Sequence, residues 1–189
     1  MAIYKANNQI GKLYKGDVQI GKVYKGSTLI YSAEETYLNG KTLGSGINTV
    51  VLQGNYNGNT SYNRCSLTTS GIHFEEPVPN TSLAGASPYL SPAIDLTNLT
   101  TIKFHVSNVV SATDNKYTYL GVNNTVPPKT YNENVRPSFT KQINVKPASN
   151  TSYTVDVSSL TGFHYIVMAN VSGGGRGAEF YIDRIIGEE

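Results

Sequence analysis

The first thirty residues repeat with a period of ten, and this constrains the fold more than any other stretch. Tyr4, Tyr14 and Tyr24 are equivalent positions, as are Lys5, Lys15 and Lys25, and Ile10, Ile20 and Ile30 form a third series. Gly16 and Gly26 follow their lysines, and Ala6 holds that place in the first copy. A tandem repeat is one structural unit used several times, and a single unit cannot bury its apolar face alone. Lys15-Gly16 and Lys25-Gly26 read as two-residue hairpin loops, with glycine supplying a positive φ. Strands of about eight residues then run between the loops, for example from Asp17 to Tyr24. On that register Leu13 pairs with Val18, and Val23 with Thr28. One face collects Leu13, Val18, Ile20, Tyr24, Leu29 and Tyr31. The other collects Ile10, Lys12, Tyr14, Gln19 and Val23, and another loop length exchanges the two. Gly11 and Gly21 interrupt the pattern as bulges or corners. A meander this small must be covered by the rest of the chain, a sister subunit or a partner. The six residues of the first face are the expected docking or oligomerisation surface.

Charge and cysteine content exclude several classes. The net charge is +2 over 189 residues, with no basic field of the kind that nucleic-acid binding needs. Residues 1–35 carry five lysines against Asp17, Glu34 and Glu35, and the remainder carries ten charges of each sign. The lysines flank the turns and read as a solvated strand edge. Cys65 is the sole cysteine, so no disulfide within the chain is possible. The N-terminus lacks an apolar signal region, and no run is long enough to span a membrane as a helix. Synthesis in a cytoplasm is therefore expected, with no membrane insertion. Six Asn-x-Ser/Thr sequences are then a by-product of Asn and Thr abundance rather than glycosylation sites.

Past residue 35 the chain reads as β throughout. Fourteen tyrosines, no tryptophan and plentiful Asn, Thr, Ser and Gly suit short strands with many turns. Strands are expected at 48–53, 62–68, 72–75, 101–110, 117–122, 141–145, 152–157, 163–171 and 178–186. Ile102, Phe104 and Val106 alternate cleanly, and residues 163–171 are nearly continuously apolar, as in a central strand buried on both faces. No segment has an amphipathic helical pattern. Asp95 and Asp156 each head a short polar turn that they can cap. The expected fold class is all-β: an N-terminal β-strand repeat or meander, then a jelly-roll-like β-sandwich. The division falls between an attachment or oligomerisation segment, 1–35, and a sandwich domain, 36–189, with residues 32–47 as a linker or hairpin.

Two resemblances bear on function. The stretch Ile10, Lys12, Tyr14, Gly16, then Ile20, Lys22, Tyr24, Gly26, Ser27, Thr28 and Leu29-Ile30-Tyr31 resembles the short tandem repeats that open virion proteins of tailed bacteriophages. It covers about the first sixth of the chain, and the first copy, with Asn7-Asn8, departs from it. The resemblance implies a tail, fibre or capsid-decoration protein located in the virion, with other virion proteins as partners and a homo-oligomer, a trimer in that class. Further on, S-P-A-I-D-L-T (Ser91 to Thr97), D-V-S-S-L-T-G-F-H-Y-I (Asp156 to Ile166) and F-Y-I-D-R-I (Phe180 to Ile185) follow in order. This order resembles jelly-roll sandwiches of carbohydrate-binding modules and similar sandwiches on phage tail proteins. Such families use aromatic platforms against sugars, tryptophan most often, and this chain has none.

No catalytic chemistry is framed by the sequence. His73, His105 and His164 are scattered through strand-like segments, and no His-x-His, HExxH or Cys-x-x-Cys occurs, so no metal site and no cofactor are expected. No Gly-x-Ser-x-Gly frames a nucleophile. Cys65 reads as a small buried residue. The glycine run 173–177 lies between two expected strands and reads as a hairpin, with Arg176 at its tip. Two polar loops surround tyrosines, one at 54–59 and one at 123–137. If the body binds a glycan or receptor, Tyr56, Tyr62, Tyr131, Arg136 and Arg176 are the first candidates. The expected function is thus a non-enzymatic structural virion protein, docked or oligomerised through the repeat. The alternative is a carbohydrate-binding adhesin that recognises host-surface or mucosal glycans.

Overall fold

The computed structural model describes residues 4–5, 8–9, 13–15, 18–20, 22–25, 28–32, 34–56, 64–75, 84–112, 118–127, 139–171 and 178–189. Every described element is a strand or turn, and every strand pairing is antiparallel.

Each ten-residue copy of the repeat contributes one hairpin. β1 (Tyr4–Lys5) pairs with β2 (Asn8–Gln9), β3 (Leu13–Lys15) with β4 (Val18–Ile20), and β5 (Lys22–Lys25) with β6 (Thr28–Ser32). The three pairs form three separate two-stranded sheets rather than a continuous meander. β4 and β5 belong to different sheets, whereas a single strand is expected from Asp17 to Tyr24. The register differs from the expectation, with the partners of Leu13 and Val23 lying two and three residues further along. Leu13 lies opposite Ile20, Tyr14 opposite Gln19 and Lys15 opposite Val18. Lys25 likewise lies opposite Thr28 and Tyr24 opposite Leu29, while Val23 meets Tyr31 across a register shift. The lysines are thus the last paired residues and not turn residues. In this register Ile20 replaces Val18 as the partner of Leu13, Val18 lies opposite Lys15, and Tyr31 falls out of phase with the Tyr24–Leu29 pair.

The rest of the chain is a sandwich of two sheets. The seven-stranded sheet contains β7 (Glu34–Asn39), β8 (Thr42–Leu43), β11 (Cys65–Thr68), β12 (Gly71–Phe74), β16 (Thr101–Ala112), β19 (Thr151–Asp156) and β21 (Ala178–Glu188). The eight-stranded sheet contains β9 (Thr49–Val51), β10 (Gly54–Tyr56), β13 (Ala84–Ala86), β14 (Tyr89–Ser91), β15 (Ile94–Asp95), β17 (Thr118–Asn123), β18 (Lys141–Val145) and β20 (Phe163–Val171). The first sheet is built around β21, which pairs with β7, β12 and β16. The second is built around β20, which pairs with β13, β14, β15 and β17.

Alternation explains why these two strands are central. In β21, Ala178, Phe180 and Ile182 are buried, and after an irregularity Ile185 takes up the inward position. In β20, residues 166–171 are all buried, so both faces of this strand are covered, as its continuous apolar run implies. Phe163 is the exception and is exposed. Ile166 and Met168 join Phe74, Phe104, Phe180 and Ile182 in the core. The Phe74 and Phe180 rings stack at 4.6 Å. Tyr119, Ala169 and Val171 form a smaller cluster against Phe139.

Polar residues close the connections. Asn170, fully enclosed, donates from Nδ2 to Ala178 O (2.8 Å) and accepts from Thr118 Oγ1 (3.1 Å), tying the end of β20 to the start of β21. Asn123 accepts from Thr140 N (3.1 Å) and donates to Thr125 O (2.9 Å), fastening both ends of the segment between β17 and β18. Asp95 accepts from Thr97 Oγ1 (2.6 Å) and Thr97 N (3.0 Å), and Asp156 accepts in the same way from Ser158 Oγ (2.6 Å) and Ser158 N (3.0 Å). These bonds hold both carboxyls below their ordinary value near 3.8.

Several short strands have no counterpart in the expected set. Within the 32–47 stretch, expected as a linker or hairpin, β7 and β8 form a hairpin whose first strand also runs along β21 from Glu34 opposite Glu188. Residues 84–86 and 89–91 pair with β10 and β9, and residues 54–56, expected as a polar loop, are β10.

Phe180→Ala opens the core where the two sheets meet and is expected to cost about 3–5 kcal/mol of stability. Urea unfolding checks this, and a loss under about 1 kcal/mol contradicts the burial. The Asp95 and Asp156 turns predict a pH effect of definite sign. Each carboxyl binds its proton less readily folded than unfolded. The stabilisation is therefore complete above the unfolded value and is lost as pH falls through the lower folded value. The difference in urea midpoint between the native protein and an Asp95→Asn/Asp156→Asn variant should shrink as pH falls from neutral to below about 3. A difference independent of pH contradicts the assignment.

Candidate functional site

β12, β21 and β16 lie side by side, and the same alternation that turns Phe180 and Ile182 into the core places Glu179, Tyr181 and Asp183 on the outer face. His73 is directly opposite Tyr181, and the two rings stack with centroids 4.3 Å apart and planes within 6°. The His73 Nε2 lies 3.0 Å from Glu179 Oε1, and because an ionised carboxylate only accepts, Nε2 carries the hydrogen. His105 Nδ1 meets Asp183 Oδ1 at 2.5 Å. A histidine therefore engages each of the two carboxylates that flank Tyr181.

Beside Tyr181 is a cavity of about 400 Å³, lined by Thr68, Ser70, Ser107, Asn108 and Tyr181. Two irregularities build it. β16 slips against β21 on both sides of Val106, leaving Ser107 without a partner across the ladder. A bulge of this kind re-aims side chains, here Ser107 and Asn108. On the other side, the β11–β12 turn lies against the β21 backbone. A Cβ on Gly71 would stand 2.2 Å from Ile182 O, and Gly71 has φ of 107°, so only glycine allows this approach. Thr68 Oγ1 donates to Gly71 O (3.0 Å) and accepts from Ser70 N (3.2 Å), which tightens the turn.

A second cleft of about 300 Å³ lies at one end of the sandwich, with Glu35, Asp95, Asn98 and Glu189 around Ile94 and Leu99. Its carboxylates are already engaged in part: Glu35 Oε2 accepts from Tyr37 OH (2.8 Å), and Asp95 serves the Thr97 turn. Burial, and then Glu35, push the Tyr37 hydroxyl well above its ordinary value. Among the described residues, no group of three or more His, Cys, Asp or Glu is arranged to hold a metal ion.

The structure places the sequence candidates as follows. Tyr56 pairs with Ala84 in β10, at the edge of the eight-stranded sheet, the sheet that does not carry the Tyr181 cavity. Tyr62, Tyr131, Arg136 and Arg176 lie outside the described residues. Leu13, Val18, Ile20, Tyr24, Leu29 and Tyr31 are strand residues of the second and third hairpins. Cys65 is buried, and burial pushes its thiol up to about 12, with Gln53 O opposing and Glu75 adding to the effect. His164 donates to Gly162 O from Nδ1 (3.1 Å) and is also buried. Sequence reasoning did not single out Thr68, Ser70, Ser107, Asn108 or Tyr181. The alternation of Phe180-Tyr181-Ile182-Asp183 signals that Tyr181 faces outward, but its neighbours come from strands far away in sequence.

No known family matches this sequence, and no curated protein matches it. Among solved structures, the chain is similar to a xylan-binding module, CBM15, at 14% identity and a TM-score of 0.36, over 75% of this chain and 96% of that one. The sandwich itself is established by the strand pairings.

Proposed function

We propose that the chain is a structural protein of a bacteriophage virion, in the tail, a fibre or a capsid decoration, with residues 1–35 attaching it and the sandwich exposed. The observation that carries this reading is that each ten-residue copy forms its own two-stranded hairpin, with no sheet shared between copies among the described residues. An isolated two-stranded hairpin is marginal in water. Three in series make sense as an element completed by an outside surface, either sister chains or a neighbouring virion protein. The likeness of Ile20 to Tyr31 to virion repeats supports the same reading, and homotrimers are the assembly that likeness favours.

A second reading is favoured by the Tyr181 cavity: the exposed sandwich is a carbohydrate-binding adhesin that recognises surface glycans. A polar cavity beside an aromatic ring suits recognition without catalysis. The nearby carboxylates, Glu179 and Asp183, are held by histidines and do not line it.

Mass spectrometry of purified particles and light scattering test the first reading. The full chain is expected in particles or as a stable oligomer, and removal of residues 1–31 is expected to abolish both while leaving the sandwich folded. A chain absent from particles and monomeric at full length contradicts it.

A further inference from the structure

We propose that the cavity beside Tyr181 binds neutral saccharides, an inference that rests on the glycan-binding reading and names its site and ligand class. Its lining is one aromatic ring, three hydroxyl side chains and one carboxamide. A sugar presents C–H groups on a ring face and hydroxyls around the rim, each hydroxyl both donating and accepting. Ser, Thr, Tyr and Asn side chains likewise both donate and accept, whereas Lys, Arg and ionised carboxylates do only one. Thr68 Oγ1 is committed to its own turn. The Ser107 and Asn108 side chains and the Tyr181 hydroxyl make no hydrogen bond among the described residues, so their hydrogen-bonding capacity is unspent at the cavity.

The ring is positioned in advance. His73 covers one side of Tyr181 and is itself fixed by Glu179, so the ring loses little freedom when a ligand arrives. Strands on both sides hold the platform, and sites on strands are more precise than sites on loops.

The ligand is neutral because, among the described residues, no cation lines the cavity. A uronate, sialate or phosphate would be taken from water without a pairing charge, which is costly. The volume of about 400 Å³ falls within the usual range for small-molecule sites, which suits one or two sugar rings rather than a long polymer segment enclosed on all sides.

The test is an NMR titration of the ¹⁵N-labelled full chain. The probes are cellobiose, xylobiose, mannobiose, lactose and chitobiose, with sialyllactose and digalacturonate as acidic counterparts. At least one neutral sugar should shift the amides of residues 68–71, 107, 108 and 181. Tyr181→Ala should weaken that sugar at least about tenfold, and the exposed Asn108→Ala about threefold, with both variants keeping native spectra elsewhere. Neutral sugars that bind but shift only distant amides overturn the site and leave the glycan-binding reading standing. Acidic sugars that bind beside Tyr181 in preference to neutral ones overturn the ligand class. No binding by any sugar at millimolar concentration overturns the reading and the inference together.

Discussion

The sandwich depends on the apolar contact between its last two strands. β20 and β21 follow one another in sequence, yet each is the central strand of a different sheet. Ile166 and Met168 from one, and Phe180 and Ile182 from the other, share a single core with Phe74 and Phe104. The remaining strands of both sheets are arranged around these two, so removing their contact would leave two sheets without a common interior. The Asn170–Ala178 hydrogen bond fixes where the chain crosses from one sheet to the other. Without that partner, Asn170 would be a buried polar group with an unmade bond, which costs about 1–3 kcal/mol. The crossing is therefore specified as well as stabilised.

The same strand supplies the candidate site. A residue on a half-buried strand turns either to the core or to solvent, so the packing that fixes Phe180 and Ile182 also fixes Tyr181 between them. The irregularities beside it then acquire a role. The slip in β16 puts Ser107 and Asn108 next to the ring, and the close approach at Gly71 brings the β11–β12 turn to the other side. Both departures from regular pairing occur at the cavity. The N-terminal hairpins form a contrasting system. Their pairing is local, each strand meeting its neighbour across a two-residue loop, and their six strands contribute nothing to either large sheet.

Strands with strong apolar alternation or continuous apolar character were legible in the sequence. β16, β18, β19, β20 and β21 begin and end within about two residues of their expected limits, because local pattern and burial agree there. β13 and β14 were not legible, since residues of an AGA–YLS pattern form strands only when the core supplies partners. The hairpin register differed from the expectation because glycine suits either position of a two-residue loop, so the sequence leaves open where the loop begins. The candidate site was the least legible part. His73 and Glu179 are 106 residues apart in sequence, and nothing local predicts that they meet. Tyr56, expected in a polar loop, is instead a residue of β10 paired with Ala84.

Hydrogen exchange on the native protein tests the organising role of β20 and β21 most directly. Amides in the middle of both strands should be the slowest in the chain, and their opening free energies should match each other and the global stability from denaturant unfolding. Amides of the β1–β6 hairpins should exchange far faster in the isolated chain. Exchange of the β20 or β21 amides well before those of β11 or β19 would contradict the account.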